Sequence, residues 1–247
     1  MAFRYSQNIS KFAKSLIKKT LVKFGWKLVK ISIKPQLIRE SIKLDFVKSI
    51  MKSDGILHIG AHRGSEAPIY YWLGKDVIWF EANKNIYEDL NINIYNFPNQ
   101  IAFNYLLSDK NNEKLKFNIS SNDGASSSIF EFGESHKEIN NKKFKMVDEV
   151  IMNSRTLESV FFEKKIKSEK YNFWVLDVQG AELLVLKGAQ NQLKHCKYLY
   201  IEVSKIEFYK NGVLFKELNK WLENNNFKLL VDDENLHANV LYKNLSF

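Results

Sequence analysis

The sequence predicts an α/β fold: a mostly parallel, seven-stranded sheet flanked by helices, preceded by a helical extension. Three observations predict it. From Asp54 onward short apolar runs alternate with segments of helical periodicity, the pattern of repeated βα units around a parallel sheet. A glycine-bearing turn, His58 to Glu66, follows the first apolar run where a strand hands over to a helix. The composition of the 247 residues is that of a folded chain, 45% hydrophobic with only 10 Gly and 3 Pro, which excludes collagen-like and low-complexity classes.

The extension comes first. Ile9, Phe12, Ala13, Leu16, Ile17, Leu21 and Phe24 recur at three- and four-residue spacing with Lys11, Lys14 and Lys18 opposite, an amphipathic helix. Pro35 sets a boundary before a second helix at about 36–51. Residues 1–52 are thus read as a basic extension and 53–247 as the α/β domain. Strands are expected at 55–59, 77–81, 101–107, 173–177, 198–203, 227–231 and 238–242. Helices are expected at 66–73, 86–95, 181–193 and 214–224. The Asn-, Ser- and Lys-rich stretch 108–170 breaks the rhythm; it reads as a site-shaping insertion with a strand pair at 114–119 and 144–150.

The formal charge of +9 is concentrated in the extension. Residues 1–34 carry nine Lys and Arg and no acid, so the remaining 28 basic residues equal the 28 acidic ones. Packing of the extension on the domain and peripheral contact with an anionic membrane surface both fit this distribution. Nucleic acid fits less well, because the body has no basic surplus to continue the footprint. The single cysteine, Cys196, excludes an internal disulfide and a cysteine zinc site, and suggests a cytoplasmic setting. No run approaches 18 apolar residues.

The turn after the first strand narrows the chemistry. A dinucleotide fingerprint needs glycines at 62 and 65, where His62 and Ser65 stand, and no Gly-Lys-Ser/Thr of a P-loop follows Gly60. Glu81, 21 residues after Gly60 at the end of the second strand, is placed to accept both hydroxyls of a ribose. A nucleoside ligand without a phosphate grip remains, and S-adenosylmethionine is one; otherwise Gly60 and Gly64 merely close a tight turn. His58 and His62 lie across a strand-turn junction and form no metal motif, and Ser126 to Ser128 lack a nucleophile elbow.

The runs HIGAHRGSE (58–66), VIWFEAN (77–83), LSD (107–109), GASSSI (124–129), RTLESV (155–160), LDVQGAELLVLKGA (176–189) and IEVSKIEFYKNG (201–212) together resemble the ordered motifs of FkbM-type methyltransferases, over about residues 55–232. The resemblance implies a Rossmann-like class I methyltransferase fold, S-adenosylmethionine as cofactor, and transfer to an oxygen of a sugar, glycan or secondary metabolite. Carboxyl or amine methylation, and a non-catalytic cofactor-binding scaffold in a glycan-assembly complex, are the alternatives. His58 stands where relatives carry an acid, and His62 where many carry Asn.

By resemblance, His58, Gly60, Ala61, His62 and Gly64 run along the methionine and ribose part of the cofactor, with Glu81 and Ala82 at the ribose. Ser108 and Asp109 lie at the adenine, Asp109 being also an ordinary turn residue. Asp177 and Gln179 lie at the reacting end. An alcohol acceptor must lose a proton, and Asp177, Glu182 and His62 are the candidate bases. Glu182 equally suits the first turn of a helix. Glu202, Glu207 and Tyr209 line the acceptor pocket or form a solvated rim.

Overall fold

A computed structural model of the chain describes residues 44–139, 144–233 and 235–247. The amphipathic helix expected at 9–24 and the first half of that expected at 36–51 lie outside the described residues. Residues 44–247 form one compact unit. Helix α1 (Leu44–Met51) opens it and buries Phe46, whose ring lies 5.4 Å from Phe173 and 4.6 Å from Tyr200.

The main sheet has seven strands: β1 (Gly55–Ile59), β2 (Asp76–Phe80), β3 (Gln100–Phe103), β7 (Phe173–Leu176), β8 (Tyr198–Ser204), β9 (Phe227–Val231) and β10 (His237–Asn244). Their spatial order is β3-β2-β1-β7-β8-β10-β9. All neighbours are parallel except β10, which runs antiparallel to both β8 and β9. Helices α2 (Ala67–Trp72), α3 (Lys84–Ile94), α6 (Glu182–Lys187) and α7 (Phe215–Asn224) connect the strands. β1 and β7 are near-continuous apolar runs because both faces are covered, as parallel sheets require.

Local chemistry fixes the helix starts near the site. Pro68 lies in the first turn of α2, where its missing N–H removes nothing. Asn83 caps α3, its side chain accepting from the N–H groups of Asn85 and Ile86. At the far end, α6 stops at Gly188 and does not run on to residue 193 as expected. A Cβ on Gly188 would lie 2.1 Å from the Ser108 carbonyl oxygen, so the chain turns there against the neighbouring loop.

A second, three-stranded sheet fills the insertion, in the order β4 (Leu106–Leu107), β6 (Met146–Arg155), β5 (Lys114–Ser120). The strand expected at 101–107 is therefore two strands in two sheets. Asn104 divides them, its amide donating to the carbonyl oxygens of Glu81 and Ala82, both at 2.8 Å. The expected pair at 114–119 and 144–150 is present as β5 and β6, with β6 running on to Arg155. Two further helices were not anticipated: α4 (Glu134–Ile139) and α5 (Leu157–Glu163), the latter capped by Thr156 accepting from Ser159 N–H. Among the described residues no helix is long and apolar enough to cross a membrane.

Candidate active site

The strand order reverses between β1 and β7: one leads outward to β2, the other to β8. In open α/β sheets ligands bind in the crevice at the carboxyl ends of such strands. A cleft of about 240 Å³ lies there, near the roughly 300 Å³ lower end of small-molecule sites. Its floor is Ile59, Gly60, Asp177, Val178 and Gln179, its walls come from Glu81, Ala82, Tyr105, Leu106 and Leu107, and its insertion side from Phe117, Gly124, Ala125, Ser127 and Ile129.

Gly60 has φ +81°, and a Cβ there would sit 1.7 Å from the Asp177 carbonyl oxygen. Its glycine is therefore required first by the close approach of β1 to β7, held by Asp177 N–H donating to the Ile59 carbonyl at 3.0 Å. The next residues fold back so that His62 N–H reaches Glu81. The Glu81 carboxylate accepts from His62 N–H and from Asn83 N–H, each at 2.8 Å, which fixes its orientation toward the cleft. Burial pushes its carboxyl up to about 7 against the pull of those backbone bonds. A rigid carboxylate with a lone pair still unused on each oxygen fits the vicinal hydroxyls of a ribose. The apolar walls Phe80, Leu106 and Leu107 fit a purine face.

Asp177 is half-buried beside Glu81's side of the cleft floor, and its carboxyl accepts from the amide of Gln179. Desolvation, then the charge of Glu202 nearby, raises its pKa well above the carboxylate range. Gln179 has φ +59° and is held on all sides: its amide also donates to Glu202 at 2.8 Å, its side-chain oxygen accepts from the Tyr209 hydroxyl, and its backbone carbonyl accepts from Ser128 Oγ at 2.7 Å. Ser128 thus ties the insertion to the loop after β7. Beside it, Arg63 bridges Asp89 at 2.9 Å and Asp123 at 2.6 Å, and His62 Nε2 lies 3.0 Å from the Asp123 carbonyl.

The structure brings Gly60, His62, Glu81, Ala82, Asp177 and Gln179 together around one cleft. Other expected site residues stand elsewhere. His58 faces the core, stacked on Trp79 at 4.7 Å with the Tyr70 hydroxyl 3.3 Å from its Nδ1; burial pushes the imidazole down to about 4. Ala61 and Gly64 shape the turn without lining the cleft, and a Cβ on Gly64 would meet Leu90 at 2.5 Å. Ser108 is buried beneath Gly188 and bonds Asp109 at 3.2 Å, so Leu106 and Leu107 take the wall position expected of Ser108 and Asp109.

Glu182, 2% exposed, turns back to accept from the N–H groups of Val178 and Gly180, both at 3.1 Å. It closes the start of α6 and does not line the cleft, and burial pushes it up to about 7. Glu202 and Tyr209 are buried behind Gln179, while Glu207 is exposed. Sequence reasoning missed Tyr105, Phe117 and the role of His237, whose Nε2 lies 3.0 Å from Glu202. Alternation along β5 could have exposed Phe117, since Lys116 and Asn118 face the other way. They line a larger open groove of about 620 Å³ that holds none of the expected site residues.

Comparison with solved structures gives distant likenesses. TehB from Haemophilus influenzae is 14% identical with a TM-score of 0.44, over 82% of this chain and 62% of TehB. A SAM-dependent methyltransferase from Aquifex aeolicus is 12% identical with a TM-score of 0.44, over 82% and 89% of the two chains. Magnesium protoporphyrin IX methyltransferase from Synechocystis, solved with bound SAM, is 8% identical with a TM-score of 0.42, over 97% and 99%. No curated protein matches the chain. The methyltransferase FkbM domain matches residues 58–229, which span the whole crevice from β1 to β9. The chain therefore belongs to the FkbM methyltransferase family, with a class I methyltransferase fold and S-adenosylmethionine as its cofactor.

Proposed function

We propose that the chain is an O-methyltransferase acting on a hydroxyl of a sugar, glycan or secondary metabolite. One observation carries the oxygen reading: Asp177 puts a carboxyl on the cleft floor, at the carboxyl end of β7, while the other ionisable cleft groups are engaged elsewhere. Glu81 is tied to two backbone N–H groups and His62 to the Asp123 carbonyl. S-adenosylmethionine supplies an activated methyl group when bound. Around it, Glu81 holds the ribose hydroxyls, the apolar walls exclude water from the base, and Asp177 accepts the proton that an alcohol loses as its oxygen is methylated. The raised basicity of Asp177 suits that task, because a stronger base is a better partner for a weakly acidic hydroxyl. The acceptor class comes from the family resemblance.

Incubation of the full chain with S-adenosylmethionine and separate panels of sugars, amines and carboxylic acids tests the reading by a one-methyl mass gain. Gain on hydroxyls alone, lost in Asp177→Asn, is expected. Gain on amines or carboxyls, or full turnover in the variant, overturns it, and cofactor binding without transfer supports the scaffold alternative.

We also propose peripheral membrane contact through residues 1–34, supported by their nine cations and absence of acids. Each cation near an anionic leaflet adds about 1 kcal/mol. Flotation with anionic vesicles that survives deletion of residues 1–34 overturns this.

A further inference from the structure

The end of β7 carries more acid than a single proton acceptor needs. Asp177 faces the cleft, and behind it the carboxyl of Glu202 on β8 shares the Gln179 amide with it. Gln179 donates its amide to both carboxyls and receives the Tyr209 hydroxyl on its oxygen, so its orientation is fixed. The second Glu202 oxygen lies 3.0 Å from His237 Nε2 on β10, and His237 Nδ1 lies 2.7 Å from Ser204 Oγ. The side chain of His237 is 22% exposed, so this line of contacts runs from the cleft floor to solvent.

The ionisable groups facing Asp177 are Glu202 from β8, Glu182 from α6, Tyr200 from β8 and Tyr209 from the loop before α7. His62 lines the same cleft, and on the far side of Glu202 stands His237, a group that becomes cationic. Burial alone would lower its pKa, but the hydrogen bond and charge of Glu202 outweigh that and raise it. Two carboxyls that share one amide in a desolvated place cannot both ionise cheaply, and such a pair titrates as a unit. A cation placed within a few ångströms reverses the balance and favours the ionised form.

We propose that Asp177 and Glu202, bridged by Gln179 and backed by His237, hold a single proton that the pair gives up when S-adenosylmethionine binds and takes back from the acceptor hydroxyl during transfer. The balance closes. The acceptor O–H bond and the carbon–sulfur bond break, a carbon–oxygen bond forms, sulfur keeps its electron pair as a neutral thioether, and the proton passes to the pair. Net charge in the cleft is the same before and after. Asp177 touches the reacting atoms; Gln179 and His237 are positioning residues. The first half concerns the cofactor alone, and the second rests on the O-methyltransferase reading.

Calorimetric titration of the full chain with S-adenosylmethionine and with S-adenosylhomocysteine, at pH 7 in phosphate and in Tris, separates proton release from binding heat. Both ligands share the ribose, so any proton from Glu81 cancels in the comparison. Roughly one more proton is expected to leave with S-adenosylmethionine than with S-adenosylhomocysteine. Asp177→Asn abolishes that difference; if the variant does not fold, Glu202→Gln serves and reduces it. His237→Gln, which removes the cation behind Glu202, moves the pH of half-release upward, a shift that a purely structural role for His237 would not produce. Equal release with both ligands in the unmodified chain, or a difference that persists in Asp177→Asn, overturns the proposal. Discovery of a nitrogen or carboxyl acceptor would instead sink the O-methyltransferase reading and leave the proton difference intact.

Discussion

Replacing Glu81 by Gln preserves shape and changes one acceptor oxygen into a donor. Both native oxygens face backbone N–H groups, at 2.8 Å from His62 and Asn83, so a side-chain amide leaves one of those donors buried without a partner at about 1–3 kcal/mol. Against this, burial raises the native carboxyl from 4.5 to about 7, which at about 1.4 kcal/mol per unit costs the folded state about 3 kcal/mol above pH 7. The folded chain holds this proton more tightly than the unfolded one. Stability from Glu81 therefore falls as pH rises from about 4.5 through 7 and is level beyond, and Glu81→Gln loses that slope. For ligand affinity, losing one charge-assisted bond to the ribose costs about 1.5–3 kcal/mol, roughly 10- to 150-fold. Titration with S-adenosylhomocysteine, which brings no sulfonium, isolates the effect. If the ionised form binds, native affinity at pH 8 is about tenfold that at pH 6, because ionisation at a pKa near 7 changes by that factor. The variant binds weakly and without this slope. Binding by Glu81→Gln within threefold of native, with the same pH dependence, would refute the ribose assignment.

Gly60→Ala places a methyl 1.7 Å from the Asp177 carbonyl at φ +81°; left-handed strain of about 1–2 kcal/mol and overpacking of about 1–3 kcal/mol add, so urea melts should show a loss of several kcal/mol. An unchanged midpoint would mean that β1 and β7 are not held so closely. His58→Leu tests the buried imidazole: its pKa, lowered to about 4, makes native stability fall by about 3 kcal/mol as pH drops from 6.5 to 4, and the variant should flatten that limb of an acid-unfolding curve. An identical acid limb contradicts the neutral assignment. Arg63→Ala removes partly exposed ion pairs worth about 0.2–1 kcal/mol, yet frees Asp123 and the wall beside it; cofactor affinity should drop several-fold while the melting temperature barely moves. Equal affinity would detach that wall from binding.

The βα rhythm made the main sheet legible because parallel strands covered on both faces are written as near-continuous apolar runs, as in Gly55 to Ile59, interrupted by His58 alone, and Phe173 to Leu176. The same continuity hid the break at Asn104, since a run such as Ile101 to Leu107 does not say that its second half will pair with Ser154 and Arg155 in another sheet. The reading of Ser108 and Asp109 at the adenine comes from the family resemblance, and Leu106 and Leu107, which line the cleft, went unnoticed beside them. Thr156 and Glu158 ahead of Val160 and Phe161 did carry a helix signal for α5, a cap followed by an acid in the first turn. Glu81 was legible from its distance to Gly60. The inward turns of His58 and Glu182 were not: His58 is placed by Trp79 on the neighbouring strand, and Glu182 by the Val178 and Gly180 amides of a local turn with φ +59° at Gln179, a conformation that residue type does not announce.

The antiparallel β10 lies inside the sheet, between β8 and β9, and brings His237 to Glu202. On the ribosome this ordering has a temporal meaning. A nascent chain that has emerged as far as residue 231 possesses every strand that surrounds the cleft, yet β8 and β9 have no mutual partner and the acid pair has no cation behind it. Assembly from the amino end must wait for residues 237–244 before the domain closes cooperatively. Chains stopped at residue 236 should accordingly be cut quickly by protease where longer ones resist, and an equally resistant truncated chain would mean that the front half folds without its keystone.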